Sequence, residues 1–349
     1  MTWRPLLAGA DAARARAVAR SIGDALVAAL PLPLAGLGET AACLAYLAEE
    51  FPELAAGRDA AIEAAIDGLA GVATDASLFA GCTGVAWLAA HLGAGEVDEL
   101  DDALPRLIDA IRDPGLITGL AGVGIYCVER LPDARAAAAV ERLVAQLAGL
   151  AVAEPDGSLA WPVPGRDAGA YPVGVAHGTA GVVGLLARVV GVGAADDLLD
   201  RAVRWLLAQR VDGGFPAERG GSRCRHLAWC NGELGVAGVL LSAACATGSS
   251  AWLAEAVAIV RAAAAGDLDA VDGGLCHGAA GAALVFQRFW HVTGDPDLGC
   301  AAARWIDRAI AWLDRSALTL LTGAAGIGLA VVAAVSEHEP AWDRVLVLS

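Results

Sequence analysis

Two kinds of segment alternate along the chain. In one kind the charges gather on a single face: 11–30 (DAARARAVARSIGDALVAAL), 57–70, 97–112, 134–152, 197–210, 252–264 and 299–314. Apolar residues within 197–210 (DLLDRAVRWLLAQR) recur at three- and four-residue steps, the period of an amphipathic helix. The other kind is nearly free of charge and opens on a G-x-x-G turn. It recurs at Gly81–Gly84, Gly119–Gly122, Gly178–Gly181, Gly232–Gly235, Gly278–Gly281 and Gly323–Gly326, with a degenerate first copy at Gly36 (LAGLGETAACLAYLAEE).

Each repeat therefore predicts one amphipathic helix and one apolar helix, and the helix that is apolar all round must be the inner one. First-glycine spacings of 45, 38, 59, 54, 46 and 45 residues signal stacked supersecondary units that cannot bury their faces alone. An open stack needs polar capping repeats, and neither terminal repeat is especially polar. Closure removes that need. The expectation is an all-α protein, an α/α toroid of about seven inner and seven outer helices, forming a single domain over 1–349. Glycine at the start of each inner helix lets backbones crowd together and leaves N–H groups unpaired there.

Composition agrees with close-packed helices. The chain of 349 residues is 57% hydrophobic with mean hydropathy +0.55, yet only 5% aromatic. The stretch 316–336 carries no charge and is long enough to span a bilayer, but it repeats the glycine pattern and reads as a buried inner helix. Charges run through the N-terminal segment, so it does not read as a signal peptide. A cytoplasmic protein without an integral membrane segment is expected. Eight cysteines then imply thiols, and Cys43, Cys82, Cys127, Cys245 and Cys300, within apolar runs, read as small core fillers. A net charge of −16 excludes nucleic acid as the main partner. All positive charge is arginine.

Two stretches interrupt the alternation. Residues 154–173 and 211–229 are rich in Pro and Gly, and read as irregular connections running into His177 and Cys230. Their Trp161, Tyr171, Phe215 and arginines suit an adaptable peptide-binding rim.

The chemistry gathers on the glycine turns. Cys230 (AWCNGELG) and the pair Cys276–His277 (GLCHGAAG) precede the first glycine of their repeats, as His177 does (GVAHGTAG). Singly such residues read as core fillers. On equivalent turns, two thiolates and an imidazole match a zinc site with one open position. Two thiolates offset Zn²⁺, so a substrate sulfur bound there stays nucleophilic, and thiol activation is favoured over hydrolysis.

The series AHG, WCNG and CHG, with the G-x-x-G repeat over essentially the whole chain, resembles the lanthionine synthetase C-like family. The resemblance implies an α/α toroid holding zinc through Cys230, Cys276 and His277. It also implies Michael addition of peptide Cys thiols to dehydroalanine or dehydrobutyrine, forming thioether rings, with His177 as acid/base. The family's Arg, four residues before the first zinc Cys, is His226 here. Its Asp, four residues before the third G-x-x-G, is Gly115. Arg225 and Asp113 are the nearest replacements, and the residue after the Cys, commonly Tyr in the family's cyclases, is Asn231.

The implied partners are a dehydrated precursor peptide and a separate Ser/Thr dehydratase. Addition of glutathione to dehydroamino acids, or a non-catalytic zinc-bearing peptide-binding scaffold, remain alternatives. A zinc prenyltransferase toroid would use Asp, Cys and His with a basic diphosphate pocket, which the CHG pair and the acidic chain oppose.

Overall fold

The computed structural model describes residues 3–30, 34–69, 75–79, 81–95, 97–165 and 170–349. Residue 70 of the second amphipathic segment and residues 166–169 of the first irregular connection lie outside the described residues. Among the described residues the chain forms fourteen α-helices. They are α1 (Gly9–Ala28), α2 (Leu34–Glu50), α3 (Ala55–Leu69), α4 (Cys82–Leu92), α5 (Asp98–Ala110), α6 (Leu120–Glu129), α7 (Ala134–Leu150), α8 (Thr179–Leu186), α9 (Ala195–Ala208), α10 (Glu233–Thr247), α11 (Ser250–Ala265), α12 (Ala279–Thr293), α13 (Pro296–Ala311) and α14 (Ala324–Val335). The odd-numbered helices are the seven amphipathic segments; of the even-numbered ones, α2 contains the degenerate copy at Gly36 and the rest follow the glycine turns.

The two kinds differ in burial as their patterns require. On α13 the buried residues are Leu298, Gly299, Ala301, Ala302, Trp305, Ile306 and Ala309, a single stripe at helical spacing. Every residue of α14 is buried. That helix takes up residues 324–335 of the charge-free stretch 316–336, and no described helix is long and apolar enough to cross a membrane.

The chain divides into two compact units. In the first (residues 1–72, 225–229 and 260–342), α14 packs between α12 and α2, and also against α1. The last repeat thus covers the first. Leu6 N donates to Ala334 O at 2.8 Å, and Trp3 Nε1 donates to Ala333 O at 3.0 Å. In the second unit (73–224, 230–259 and 343–349), α4, α6, α8 and α10 pack in sequence order, with α7 against α6 and α9 against α8.

Two expectations are corrected. Trp161 and Phe215 are fully buried and Tyr171 is 9% exposed, so these aromatics do not form an open rim. Trp161 Nε1 donates to Leu147 O at 2.8 Å, and Arg219 lies over the Tyr171 ring at 3.9 Å. The two connections pair with each other instead, through Val173 N to Ala217 O (2.9 Å) and Arg219 N to Tyr171 O (3.0 Å). A two-residue antiparallel pair, β1 (Val152–Ala153) with β2 (Leu159–Ala160), leads into Trp161. Large apolar rings on Pro- and Gly-rich backbone are drawn inward because that backbone offers no other core. Among the thiols, Cys43 and Cys127 are buried, but Cys245 and Cys300 are exposed. Cys300 sits beside the buried stripe of α13 rather than in it, and Cys245 near the C-terminal end of α10.

Candidate metal centre

Each glycine turn places backbone against backbone. A Cβ on the second glycine, at Gly84, Gly122, Gly181, Gly281 or Gly326, would lie 1.9–2.3 Å from the carbonyl oxygen of the residue six before it. Only glycine permits that approach, which explains the motif. The turn carrying Cys230 adds a second demand, since Gly232 adopts φ +81°.

Successive turns are laddered. In five of the turns, the residue two before the first glycine accepts amide hydrogens from the previous turn. Leu78 N donates to Ile117 O (3.2 Å), Leu116 and Ile117 N to Ala176 O (3.1 Å each), and Val175 and Ala176 N to Cys230 O (2.8 and 3.3 Å). In the other unit Trp229 N donates to Cys276 O (2.9 Å), and Leu275 and Cys276 N donate to Leu321 O (2.8 Å each). Cys230 and Cys276 thus hold the same rung on consecutive turns, and Cys230 follows directly on Trp229, whose amide binds Cys276 O.

One sulfur from each cysteine and a ring nitrogen of His277 accordingly lie within 4.8 Å of one another, all at least partly buried. A tetrahedral zinc with bonds of about 2.0–2.3 Å holds its ligands about 3.5–3.8 Å apart, so this donor set matches that ion in type and in scale. Soft sulfur with imidazole also suits zinc better than hard cations. Asn231 Nδ2 donates to Cys230 Sγ at 3.7 Å, and His277 Nε2 stands 3.0 Å from Asp272 Oδ2.

The remaining predicted residues fall around the neighbouring turns. His177 is exposed, one residue before Gly178. Asp113 packs against the same glycine as His177: a Cβ on Gly115 would lie 3.0 Å from Asp113 Oδ1 and 3.1 Å from His177 Cα. The carboxylate of Asp113 is engaged by Gly115 N (2.8 Å) and Thr118 Oγ1 (2.6 Å). Arg225 and His226 are both exposed. Arg223 donates from Nε to Glu233 Oε1 at 2.5 Å, and Glu233, the first residue of α10, is 2% exposed. Burial, with Glu233 and Cys230 nearby, pushes the Cys224 thiol up, which keeps it protonated.

Sequence reasoning missed Asp272, and named Asn231 without giving it a role. Asp272 left a signal: an aspartate stands six residues before the first glycine in three of the turns, as Asp75, Asp113 and Asp272.

Among solved structures the chain resembles one described as nisin cyclase, with a TM-score of 0.80 at 18% identity, covering 95% of this chain and 97% of that one. That likeness shows the fold, an α/α toroid, as the alternation of segments predicts. No curated protein matches the chain by sequence. The family described as "Lanthionine synthetase C-like protein" matches residues 35–347, nearly the whole chain and every glycine turn. With its repeated turns, its toroid fold and this match, the chain belongs to the lanthionine synthetase C-like family.

Proposed function

We propose that this protein is a zinc-dependent lanthipeptide cyclase, a single-domain enzyme over residues 1–349. In this reading it adds peptide Cys thiols to dehydroalanine or dehydrobutyrine and closes (methyl)lanthionine thioether rings. The observation that carries the reading is the Cys230, Cys276 and His277 donor set, gathered within 4.8 Å on consecutive turns of a chain of this family. When bound, zinc lowers the pKa of a substrate thiol and keeps its sulfur nucleophilic.

The protein residues supply the rest. Two thiolates bring a charge of −2 to the site, so an incoming substrate thiolate meets no excess of positive charge that would quench its reactivity. His177, exposed one residue before Gly178, takes the thiol proton or returns one to the α-carbon of the enolate formed by addition. Asp113, packed against Gly115 beside the His177 backbone, is the carboxylate proposed to assist that proton path. Arg225, exposed six residues after residue 219 of the paired connections, is the cation proposed to face the developing enolate. The substrate in this reading is a dehydrated precursor peptide made by a separate Ser/Thr dehydratase in the cytoplasm.

Elemental analysis combined with a cyclisation assay tests the reading. About one zinc per chain is expected, lost in Cys276→Ala, together with ring closure on a dehydrated Cys-containing peptide followed by thiol alkylation and mass. Zinc-loaded protein that adds glutathione to such a peptide but closes no ring would overturn the cyclase assignment.

A further inference from the structure

We propose that Asp272 is a positioning residue: it holds His277 by Nε2–H and leaves Nδ1 as the nitrogen that meets the metal. The inference rests on the zinc reading of the Cys230, Cys276 and His277 cluster.

The same device occurs twice in the chain, once with a ligand-type side chain and once without. In the turn before α6, Asp113 stands six residues ahead of Gly119. Its Oδ1 accepts Gly115 N at 2.8 Å, and its Oδ2 accepts the hydroxyl of Thr118, the residue just before the glycine, at 2.6 Å. In the turn before α12, Asp272 stands six residues ahead of Gly278. Its Oδ1 accepts Gly274 N at 2.8 Å, and its Oδ2 lies 3.0 Å from Nε2 of His277, again the residue just before the glycine. One carboxylate oxygen shapes the turn, and the other stands within 3.0 Å of a polar atom of the side chain at the same place. Where that side chain is an imidazole, the role proposed for the carboxylate is to select its tautomer.

The backbone on either side is fixed. Val271 N donates to His277 O at 3.0 Å, and Ala279 N donates to Asp272 O at 2.8 Å. The carboxylate and the ring are thus brought together by two main-chain bonds rather than by a flexible loop. A nitrogen that donates its hydrogen to a carboxylate has no lone pair for a metal, so the other nitrogen carries it. Losing a carboxylate partner behind a ligating ring typically weakens metal binding about 10- to 100-fold.

Asp272→Asn separates the two jobs of this residue. The amide oxygen can still accept Gly274 N, but the amide nitrogen can only donate, so the His277 contact is lost while the turn bond persists. Zinc affinity is measured by chelator competition on the purified full chain, alongside thermal unfolding of the metal-free protein. The expected result is zinc binding weakened about 10- to 100-fold in Asp272→Asn, with the metal-free unfolding midpoint unchanged. Asp113→Asn, which alters the equivalent contact to Thr118, should leave zinc affinity at the wild-type value. Ring-nitrogen NMR of the zinc-loaded wild type should show Nδ1 shifted by the metal and Nε2 still protonated. Unaltered affinity in Asp272→Asn, or a metal on Nε2, overturns the positioning role while leaving the zinc reading intact. Absence of zinc from the wild type overturns both.

Discussion

His177 and His277 occupy the same place in their turns, one residue before the first glycine, and differ in what stands six residues before that glycine. For His277 it is Asp272, with its carboxylate 3.0 Å from the ring; for His177 it is Pro172, whose side chain has no acceptor to offer. A ring held beside a carboxylate suits a ligand, and an exposed one suits proton transfer, which needs a ring that can reach substrate. The prediction at this scale is therefore asymmetric. His177→Ala should keep its zinc yet cyclise a dehydrated peptide roughly 10²–10⁴-fold more slowly, the range for a lost general acid/base. Wild-type turnover in that variant would make His177 structural. The thiols and imidazoles were legible in the sequence because residue type and repeat position announce them. Which imidazole stands beside a carboxylate was not, because the Asp272 contact depends on how the turn folds back on itself.

Among the elements, the amphipathic and apolar helices fall within a few residues of where the hydrophobic period puts them, as 299–314 against α13 (Pro296–Ala311) shows. The irregular connections were harder to read. Trp161 belongs to a Pro- and Gly-rich segment, yet it is fully buried with its indole N–H on Leu147 O at the end of α7. Trp161→Ala should therefore act on stability rather than on recognition, costing about 3–5 kcal/mol as a large buried aromatic does when truncated. Denaturant unfolding checks this, and a variant as stable as wild type would return Trp161 to the surface. Composition could not distinguish the two outcomes, since the same ring serves as a core anchor or as a binding contact.

At the scale of the molecule, the N-terminal segment is pinned beside the last repeats. His291, at the end of α12, stacks on Trp3 with ring centroids 3.9 Å apart, next to Trp290, Arg4, Arg288 and Glu339. Burial, then the Arg4 and Arg288 charges, lower its pKa from 6.5 to about 4. The unfolded chain thus takes up a proton here at a higher pH than the folded one. The contribution is fully present above pH 6.5 and is lost as pH falls toward about 4. His291→Gln should flatten the loss of unfolding temperature over that window relative to wild type, and parallel pH profiles would exclude the linkage. By itself the sequence determined the helical alternation, the glycine turns and the identity of the metal-binding residue types. Periodicity and steric exclusion act between residues near in sequence, so they survive in a linear reading. Tertiary structure alone decided that the last repeat packs on the first, that the aromatics of the two connections turn inward, and that one carboxylate of the turn series meets His277. Those outcomes depend on which distant segments share space, and a hydrogen bond or a buried ring is fixed only once both partners have arrived.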